Sequence, residues 1–320
     1  MSRRVSAITL ALLLLAGCHS PSPSPPTPSD APASSAQAPA TLAQARRGFA
    51  TALTQRTSAQ RPAPTPPAGI FTTIRYPSPA GNLVGYLTPD PGDGQRHPAI
   101  IWITGGDNNT IGDVWSEAAP DNDQTAAAYR KAGIVMLFPS QRGGNDHAGP
   151  KEGFLGEVDD VIAAAEFLAA QPWVDPARIY LGGHSTGGTL ALLTAETTDR
   201  FRAVFAFGPV ADIVEYGARH VPADLGQARE RALRSPLYWL DSIRSPTFVI
   251  EGEEGNRDAL DQMTARNRNL NNRFLLVKGT DHFATLAPIN ALIAQKILAD
   301  TGARSTLTLS QAEVAAPFAR

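Results

Sequence analysis

The chain has 320 residues, of which 42% are hydrophobic and 18% are charged, and its formal net charge at pH 7 is −2. This composition is typical of a soluble globular protein that is long enough to form one large core. It shows no excess of basic residues that would indicate nucleic-acid binding, so no nucleic-acid partner is expected.

The first segment of the chain has the form of a secretory signal peptide. Two arginines precede the apolar run AITLALLLLA, which is too short to remain in a bilayer as a permanent helix, and two small residues follow. The only cysteine, Cys18, comes next, and the run LAGC resembles the lipobox of bacterial lipoproteins. The resemblance implies that residues 1–17 are removed and that the Cys18 thiol carries a diacylglycerol.

A lipid on Cys18 predicts membrane anchoring, with the folded part of the protein held in water. In the lipoprotein pattern, an aspartate after the cysteine retains the protein at the inner membrane. His19 stands at that position here, which favours the outer membrane, facing the periplasm. With a single cysteine, the mature chain is expected to contain no disulfide.

Residues 18–69 are predicted to form a tether followed by an arm. Serine and proline dominate residues 19–40, which contain too few apolar side chains to form a core. The run TLAQARRGFATALTQR then favours a short helix, and a second proline-rich run follows it. The apolar face of this helix consists of Leu42, Ala45, Phe49 and Leu53.

From Ile70 onward, short β-prone runs alternate with helical runs. This alternation predicts a mostly parallel, doubly wound sheet of about eight strands with helices on both faces. The best defined helix spans residues 156–171 and carries acidic residues in its first turn. We expect one domain over residues 70–302 and a polar C-terminal tail over residues 303–320. The strand candidates are GIFTTIRYP, NLVGYLTP, PAIIWITG, GIVMLFPS, RIYLGGHS, FRAVFAFGP, PTFVIEG and RFLLVKG.

Ser185 lies at a predicted strand-to-helix junction, between the β-prone run RIYLG and the helical run TLALLTAE. The residues around it, Gly183-His184-Ser185-Thr186-Gly187, match the nucleophile elbow G-x-S-x-G in its required context. The two glycines remove side chains that would clash in a sharp turn, which leaves the serine hydroxyl accessible. His184 is expected to be buried beneath the turn.

A serine hydroxyl is a poor nucleophile at neutral pH, so Ser185 needs a base. In proteins with this elbow, a histidine late in the chain supplies it. His220 lies in a polar segment after the sixth strand candidate, whereas His282 directly follows the last one, in VKGTDHFATLAP. A loop at that position returns His282 to the sheet edge beside Ser185, and His282 is therefore the predicted base.

Four runs together resemble the prolyl oligopeptidase and dienelactone hydrolase branch of the α/β-hydrolase fold. They are FPSQRGGND, GEVDDVIAAAEFLAAQPWVDPARIYLGGHSTGGTLALL, SPLYWLDSIRSPTFVIEG and GTDHF. The resemblance covers about residues 75–300 and implies the α/β-hydrolase fold. It also implies a serine hydrolase that uses Ser185 as nucleophile and His282 as base. No metal or cofactor is expected.

The acid that orients His282 is expected after the strand candidate PTFVIEG, where many relatives read H-G-x-x-D. This chain reads EGEEGNRD at residues 251–258, with glycine where that spacing requires aspartate. Glu254 is one position short, but its extra methylene makes it the first candidate. Asp258 is the main alternative, although it also suits the first turn of the next helix. The remaining candidates are Glu253, Asp212 and a water-supported Asn256.

The oxyanion of an acyl-transfer reaction needs hydrogen-bond donors. The backbone N–H of Thr186, directly after the nucleophile, is one expected donor. The other is expected from the loop after AIIWIT, where relatives carry H-G-G and this chain has Thr104-Gly105-Gly106. Gly105 and Gly106 allow the backbone to approach a substrate closely.

The size of the domain favours a small ester, acyl or carbohydrate-acetyl substrate. The stretch between Cys18 and Ile70 is too short for the propeller with which oligopeptidases admit peptides. A zinc hydrolase is not supported, because H-E-x-x-H does not occur. The irregular acid loop leaves a second hypothesis, a non-catalytic binding lipoprotein on the same fold, and a small peptidase is a third.

Overall fold

One mixed eight-stranded sheet forms the centre of the computed structural model, which describes residues 40–59, 61–218 and 220–319. Its order is β1-β2-β4-β3-β5-β6-β7-β8, with antiparallel pairing at β1–β2 and β2–β4 and parallel pairing elsewhere. The predicted mostly parallel sheet is confirmed. The strands are β1 (Thr72–Ser78), β2 (Gly81–Leu87), β3 (His97–Ile103), β4 (Val135–Pro139), β5 (Val174–His184), β6 (Val204–Phe207), β7 (Thr247–Gly252) and β8 (Asn272–Val277).

The described part of the chain contains eight α-helices, and helices pack on both faces of the sheet. The helix predicted over residues 156–171 is confirmed as α3. The helices are α1 (Leu42–Arg46), α2 (Ala127–Lys131), α3 (Gly156–Ala169), α4 (Thr186–Thr197), α5 (Ala228–Ala232), α6 (Arg257–Arg266), α7 (Leu286–Ala299) and α8 (Gln311–Ala315).

The core consists of two apolar clusters, one on each face of the sheet. Strand β3 contributes to both, with Ile101 in the cluster that contains α3 and α4, and Trp102 in the cluster that contains α7. Neighbouring strand residues point to opposite faces, so a strand buried on both sides is apolar at nearly every position. This explains why the central strands read as nearly continuous apolar runs.

Helix α1 is shorter than predicted and ends at Arg46. Gly48 has a φ of +66°, a left-handed conformation that commonly ends a helix. Phe49 and Leu53 therefore lie beyond the helix, and Leu53 instead pairs with Ala223 in an isolated antiparallel bridge. The prediction of a longer helix is wrong. It rested on hydrophobic spacing that continues past Gly48, whereas the backbone of this glycine ends the helix.

The C-terminal segment packs on the domain rather than extending as a polar tail. Leu307, Leu309 and Val314 are buried in the same cluster as α7. The side-chain amide of Gln311 pairs with both backbone groups of Leu276 in the edge strand β8, at 3.3 and 2.6 Å. The segment therefore satisfies part of the exposed edge of the sheet.

The predicted signal peptide and the lipidation site Cys18 lie outside the described residues. In the ranges that the structure describes, no helix has both the length and the apolar character needed to cross a membrane.

Candidate active site

Ser185 occupies a sharp turn between β5 and α4. Its backbone has φ 55° and ψ −116°, a combination that non-glycine residues rarely adopt and that costs about 1–3 kcal/mol. Two hydrogen bonds hold this conformation, because Ser185 N–H donates to the Phe207 carbonyl at 2.7 Å and Thr189 N–H donates to the Ser185 carbonyl at 2.9 Å. The strand–turn–helix context predicted for Ser185 is confirmed.

Three glycines make this turn possible. A Cβ atom at Gly187 would lie 2.2 Å from the Ile103 carbonyl oxygen, and one at Gly183 would lie 2.5 Å from the Gly187 carbonyl oxygen. A Cβ atom at Gly188 would lie 2.3 Å from the Phe207 carbonyl oxygen. Because all three contacts are with backbone, no side-chain movement could relieve them, and the elbow requires glycine at each position.

His282 lies in the loop between β8 and α7, at the same edge of the sheet as Ser185. Strands β5 to β8 are parallel, so their carboxyl ends meet at that edge. The His282 Nδ1–H donates to Glu251 Oε2 at 3.1 Å, and the ring lies 4.5 Å from the His184 ring between centroids. With Nδ1 bound to a carboxylate, Nε2 is the nitrogen left to accept a proton.

The structure places Glu251, rather than Glu254, against His282. Glu251 is the penultimate residue of β7, and its side chain is 1% exposed. Besides the bond from His282, Oε2 accepts the Asn256 N–H at 3.0 Å and Oε1 accepts the Gly252 N–H at 2.7 Å. Three donors thus hold one buried carboxylate in the position that orients a catalytic histidine.

The sequence-based candidates for the acid lie elsewhere. Glu254 and Asp258 are exposed. Asp258 occupies the first turn of α6, which is the structural position that the sequence also allowed for it. Glu253 accepts a backbone N–H from the loop after β8, and Asp212 forms an ion pair of 2.6 Å with Arg231. The assignment of Glu254, with Asp258 as alternative, is therefore wrong for the contact with His282.

Gly255 explains how Glu251 reaches this place. A Cβ atom at Gly255 would lie 2.3 Å from Glu251 Oε1. The carboxylate of Glu251 thus occupies the space that the aspartate of the H-G-x-x-D spacing would need. Two paired changes in the sequence indicate this arrangement. Glu251 stands where the H-G-x-x-D pattern has histidine, and Gly255 stands where it has aspartate.

The two candidate oxyanion donors are Gly106 N–H and Thr186 N–H. Neither has a hydrogen-bond partner among the described residues. The Thr186 hydroxyl donates to the Gly106 carbonyl at 2.9 Å and so ties the two segments together. Gly105 was predicted as a further donor, but its N–H donates to Gln124 Oε1 at 3.0 Å and is not available.

Gly105 is nevertheless required by the packing of the site. A Cβ atom there would lie 2.9 Å from His184 Nδ1 and 3.2 Å from Ser185 Cβ. His184 is fully buried, as expected. Its pKa is lowered to about 3, mainly by burial and to a smaller extent by the nearby charge of His282. His184 is therefore neutral at physiological pH and adds no charge beside His282.

A cavity of about 320 Å³ adjoins the oxyanion donors. Phe154 forms part of its wall and stacks on Tyr216, with centroids 5.3 Å apart and an interplanar angle of 8°. Phe154 has a φ of +68°, a strained value for a bulky residue. The buried carboxylate of Glu157 supports this turn by accepting the N–H groups of Glu152 and Gly153 at 2.7 and 3.1 Å.

Taken together, these groups supply the parts of an acyl-transfer site. A hydroxyl on a strained turn, a histidine on a buried carboxylate and two free backbone donors lie at one sheet edge, next to a cavity.

Comparison with known proteins places the chain among serine hydrolases. Residues 120–281, just over half of the chain, match the prolyl oligopeptidase family. The "uncharacterized peptidase YtmA" of Bacillus subtilis is 26% identical over 209 residues, which cover 60% of this chain and 76% of the relative. Dipeptidyl-peptidase 5 of Porphyromonas gingivalis is 24% identical over 241 residues, which cover 67% of this chain and 34% of the relative.

Solved structures with the same fold include both peptidases and esterases. A puromycin hydrolase has a TM-score of 0.56 and 19% identity, over 71% of this chain and 38% of that chain. An esterase of Pyrobaculum calidifontis has a TM-score of 0.53 and 18% identity, over 73% of this chain and 86% of that chain. From the family match, the elbow and the shared fold, the chain belongs to the prolyl oligopeptidase family of α/β-hydrolases.

Proposed function

We propose that the protein is a serine hydrolase that cleaves an ester or acyl bond of a small substrate through an acyl-enzyme on Ser185. The observation that carries this proposal is the hydrogen bond from His282 to the buried Glu251, at the sheet edge where the partly exposed Ser185 has a strained backbone. A histidine whose Nδ1–H donates to a carboxylate presents Nε2 as the nitrogen that can take the serine proton.

In the first half of the proposed reaction, Ser185 Oγ attacks the substrate carbonyl carbon while its proton passes to His282 Nε2. The carbonyl electron pair moves onto oxygen, and the N–H groups of Gly106 and Thr186 bind the resulting oxyanion. When the tetrahedral intermediate collapses, the bond to the leaving alcohol breaks and His282 returns the proton to that oxygen. Glu251 stabilises the imidazolium between these steps.

Water completes the cycle by the same chemistry. His282 takes a proton from a water molecule, whose oxygen attacks the acyl carbon, and the bond to Ser185 Oγ breaks as His282 returns the proton to it. The products are a free acid and the regenerated enzyme, so the balance of atoms requires water alone.

The cavity beside the oxyanion donors supports a small substrate. Thr57 of the N-terminal arm lines this cavity together with Gly106. The arm is tied down on both sides, because Lys151 N–H donates to the Thr57 carbonyl at 2.9 Å and Thr54 N–H donates to the Pro222 carbonyl at 3.0 Å. At about 320 Å³, the cavity is at the lower end of the range for small-molecule sites.

A peptidase is the second candidate, favoured by the names of the relatives. The first two relatives are called peptidases, and a structural neighbour is a puromycin hydrolase. A panel of p-nitrophenyl esters of rising chain length, assayed beside aminoacyl p-nitroanilides, separates the two activities. We expect kcat/KM to be highest for short acyl esters, and a preference for the anilides would identify a peptidase instead.

A serine-directed fluorophosphonate probe distinguishes an enzyme from a non-catalytic binding protein. We expect the folded wild-type protein to be labelled and the variant Ser185→Ala to remain unlabelled and inactive. Ser116→Ala, which changes an exposed serine, is the matched control and should be labelled like the wild type. Absence of labelling in folded wild-type protein would overturn the proposal in favour of a binding protein.

The proposed cellular location rests on Cys18. The run LAGC supports cleavage before Cys18 and a lipid on its thiol, and His19 after it favours anchoring to the outer membrane, with the enzyme facing the periplasm. We expect Cys18→Ser to abolish metabolic labelling with a fatty-acid analogue and either to retain the leader or to release the protein into the soluble fraction. Equal labelling of wild type and variant would contradict this assignment.

A further inference from the structure

The side-chain amide of Gln124 connects the oxyanion loop to the elbow. Its Oε1 accepts the Gly105 N–H at 3.0 Å, and its Nε2 donates to His184 Nδ1 at 2.7 Å. The backbone of Gln124 is fixed separately, because its carbonyl accepts the Trp102 Nε1–H at 3.0 Å. The amide nitrogen also donates to Asn122 Oδ1 at 2.9 Å, so both ends of the amide are used, and two of its bonds reach different segments of the proposed site.

The connection continues from the elbow to the loop of the base. His184 Nε2 lies 3.0 Å from the His282 carbonyl oxygen, which can only accept, so Nε2 carries the proton. Because burial keeps His184 neutral, its Nδ1 is an acceptor, and Gln124 must be the donor to it. Three hydrogen bonds therefore run in series from Gly105 through Gln124 and His184 to the backbone of His282.

We propose that Gln124 is a positioning residue for the reaction. By accepting the Gly105 N–H, it turns the loop so that the next donor, Gly106 N–H, faces the developing oxyanion. Through His184 it fixes the backbone of the base at the same time. The inference rests on the proposed function, and it assigns a role to a residue that touches neither the substrate nor the reacting atoms.

The loop itself explains why an outside anchor is needed. It reads Thr104-Gly105-Gly106, without the histidine of the H-G-G pattern, and two successive glycines leave its backbone conformation open. Thr186 fixes one end of the loop through the Gly106 carbonyl, and Gln124 fixes the other through the Gly105 N–H. With both anchors in place, the orientation of the free Gly106 N–H toward the proposed oxyanion position is fixed.

An amide is the side chain that suits this position, because it must accept at one end and donate at the other. Methionine has a similar size and can do neither. A glutamate could still accept the Gly105 N–H, but its carboxylate could not donate to His184. If the hydrogen bonds matter, activity should decrease from glutamine to glutamate to methionine at position 124. If only the volume matters, the three side chains should give equal activity.

The test compares Gln124→Met and Gln124→Glu with the wild type, and uses Gln171→Met as the control. Gln171 donates one side-chain hydrogen bond, to the Phe167 carbonyl at 2.9 Å, on a helix end remote from the site. We expect Gln124→Met to lower kcat and the rate of fluorophosphonate labelling by about 10–100-fold, since a lost oxyanion donor costs about 10²–10³-fold. Gln124→Glu should fall between Gln124→Met and the wild type, and KM should change by less than about threefold in each.

Two results would overturn this role. One is labelling and turnover of Gln124→Met at the rate of Gln171→Met. The other is a loss that appears as a lower Tm and a higher KM with kcat unchanged, which is the signature of a purely structural residue. Failure of the wild type itself to label would overturn the proposed function, and it is recognised before any Gln124 variant is compared.

Discussion

The serine end and the acid end of the proposed triad are held in different ways. At the serine end, backbone atoms press on the positions of Gly183, Gly187 and Gly188, and no side chain is tolerated. At the acid end, the buried carboxylate of Glu251 is held by hydrogen bonds from His282 and from two backbone N–H groups. Sterics fixes the first end, and polar contacts fix the second.

The difference predicts which end can change during evolution. A sharp turn that excludes Cβ atoms can be formed only with glycine at the crowded positions. The residues around Ser185 must therefore keep their order and spacing. A carboxylate, by contrast, can reach the same point in space from more than one backbone position. Here it comes from the end of β7, because Gly255 leaves the space in the following loop open.

The largest effect is expected from neutralising the acid. Glu251→Gln should lower kcat by about 10³–10⁴-fold with little change in KM, because the amide cannot stabilise the imidazolium of His282. Glu254→Gln and Asp258→Asn serve as controls, and both should keep near wild-type kcat because these side chains are exposed. Steady-state ester hydrolysis measures all three, and a large loss confined to Glu254→Gln would identify Glu254 as the acid instead.

The next effect tests the steric rule at the serine end. Gly187→Ala places a Cβ atom 2.2 Å from the Ile103 carbonyl oxygen, so the turn must shift and Ser185 must move with it. We expect kcat/KM to fall by about 10²-fold, as for other small displacements of reacting groups. Gly112→Ala is the control, since its Cβ would meet no atom within 4 Å and its φ is ordinary. Equal activity of the two variants would show that the elbow is not sterically fixed.

A double variant tests whether the acid is interchangeable between two positions. In Glu251→Ala with Gly255→Asp, the new aspartate enters the space that the glutamate vacates and can accept from His282. We expect it to be at least about tenfold more active than Glu251→Ala alone, a difference of about 1.4 kcal/mol in activation free energy. Gly255→Asp alone should be impaired, because it would put two carboxylates into one space. No recovery in the double variant would show that the position of the acid is as strictly fixed as the elbow.

The smallest effect compares Glu251 with a second buried carboxylate. Glu196 on α4 has no hydrogen-bond partner for either oxygen within the described residues, and burial raises the pKa of its carboxyl well above the ordinary value. The folded state therefore holds this proton more tightly than the unfolded state, and the free energy of unfolding falls as pH rises above about 4.3.

Replacing Glu196 by methionine should remove this pH-dependent penalty. We expect Glu196→Met to raise the free energy of unfolding by about 1–3 kcal/mol at pH 8 and by much less at pH 4. Glu166→Met, which changes an exposed carboxylate, should show no such pH-dependent gain. Urea unfolding at both pH values measures the difference, and parallel curves for Glu196→Met and the wild type would contradict it.

The residues whose places follow from local pattern were found from the sequence. The alternation of strands and helices predicts the sheet, and the glycines around Ser185 predict the turn, because both depend on near neighbours in the chain. His282 also follows from order along the chain, since it comes directly after the last parallel strand. The predicted length of α1 is too great because hydrophobic spacing continues past Gly48, where the helix has already ended.

The positions of Glu251 and Gln124 could not be read in the same way, because their roles depend on contacts between distant segments. Glu251 lies in a run that reads as a buried strand, and it acts on a histidine 31 residues later in the chain. Gln124 lies in a polar stretch without a motif, and it meets His184 from 60 residues away. Local sterics determine the nucleophile's turn from the amino-acid order alone. The partners of its base, and the donor that faces the oxyanion, are set only when the chain packs and buried polar groups must find one another.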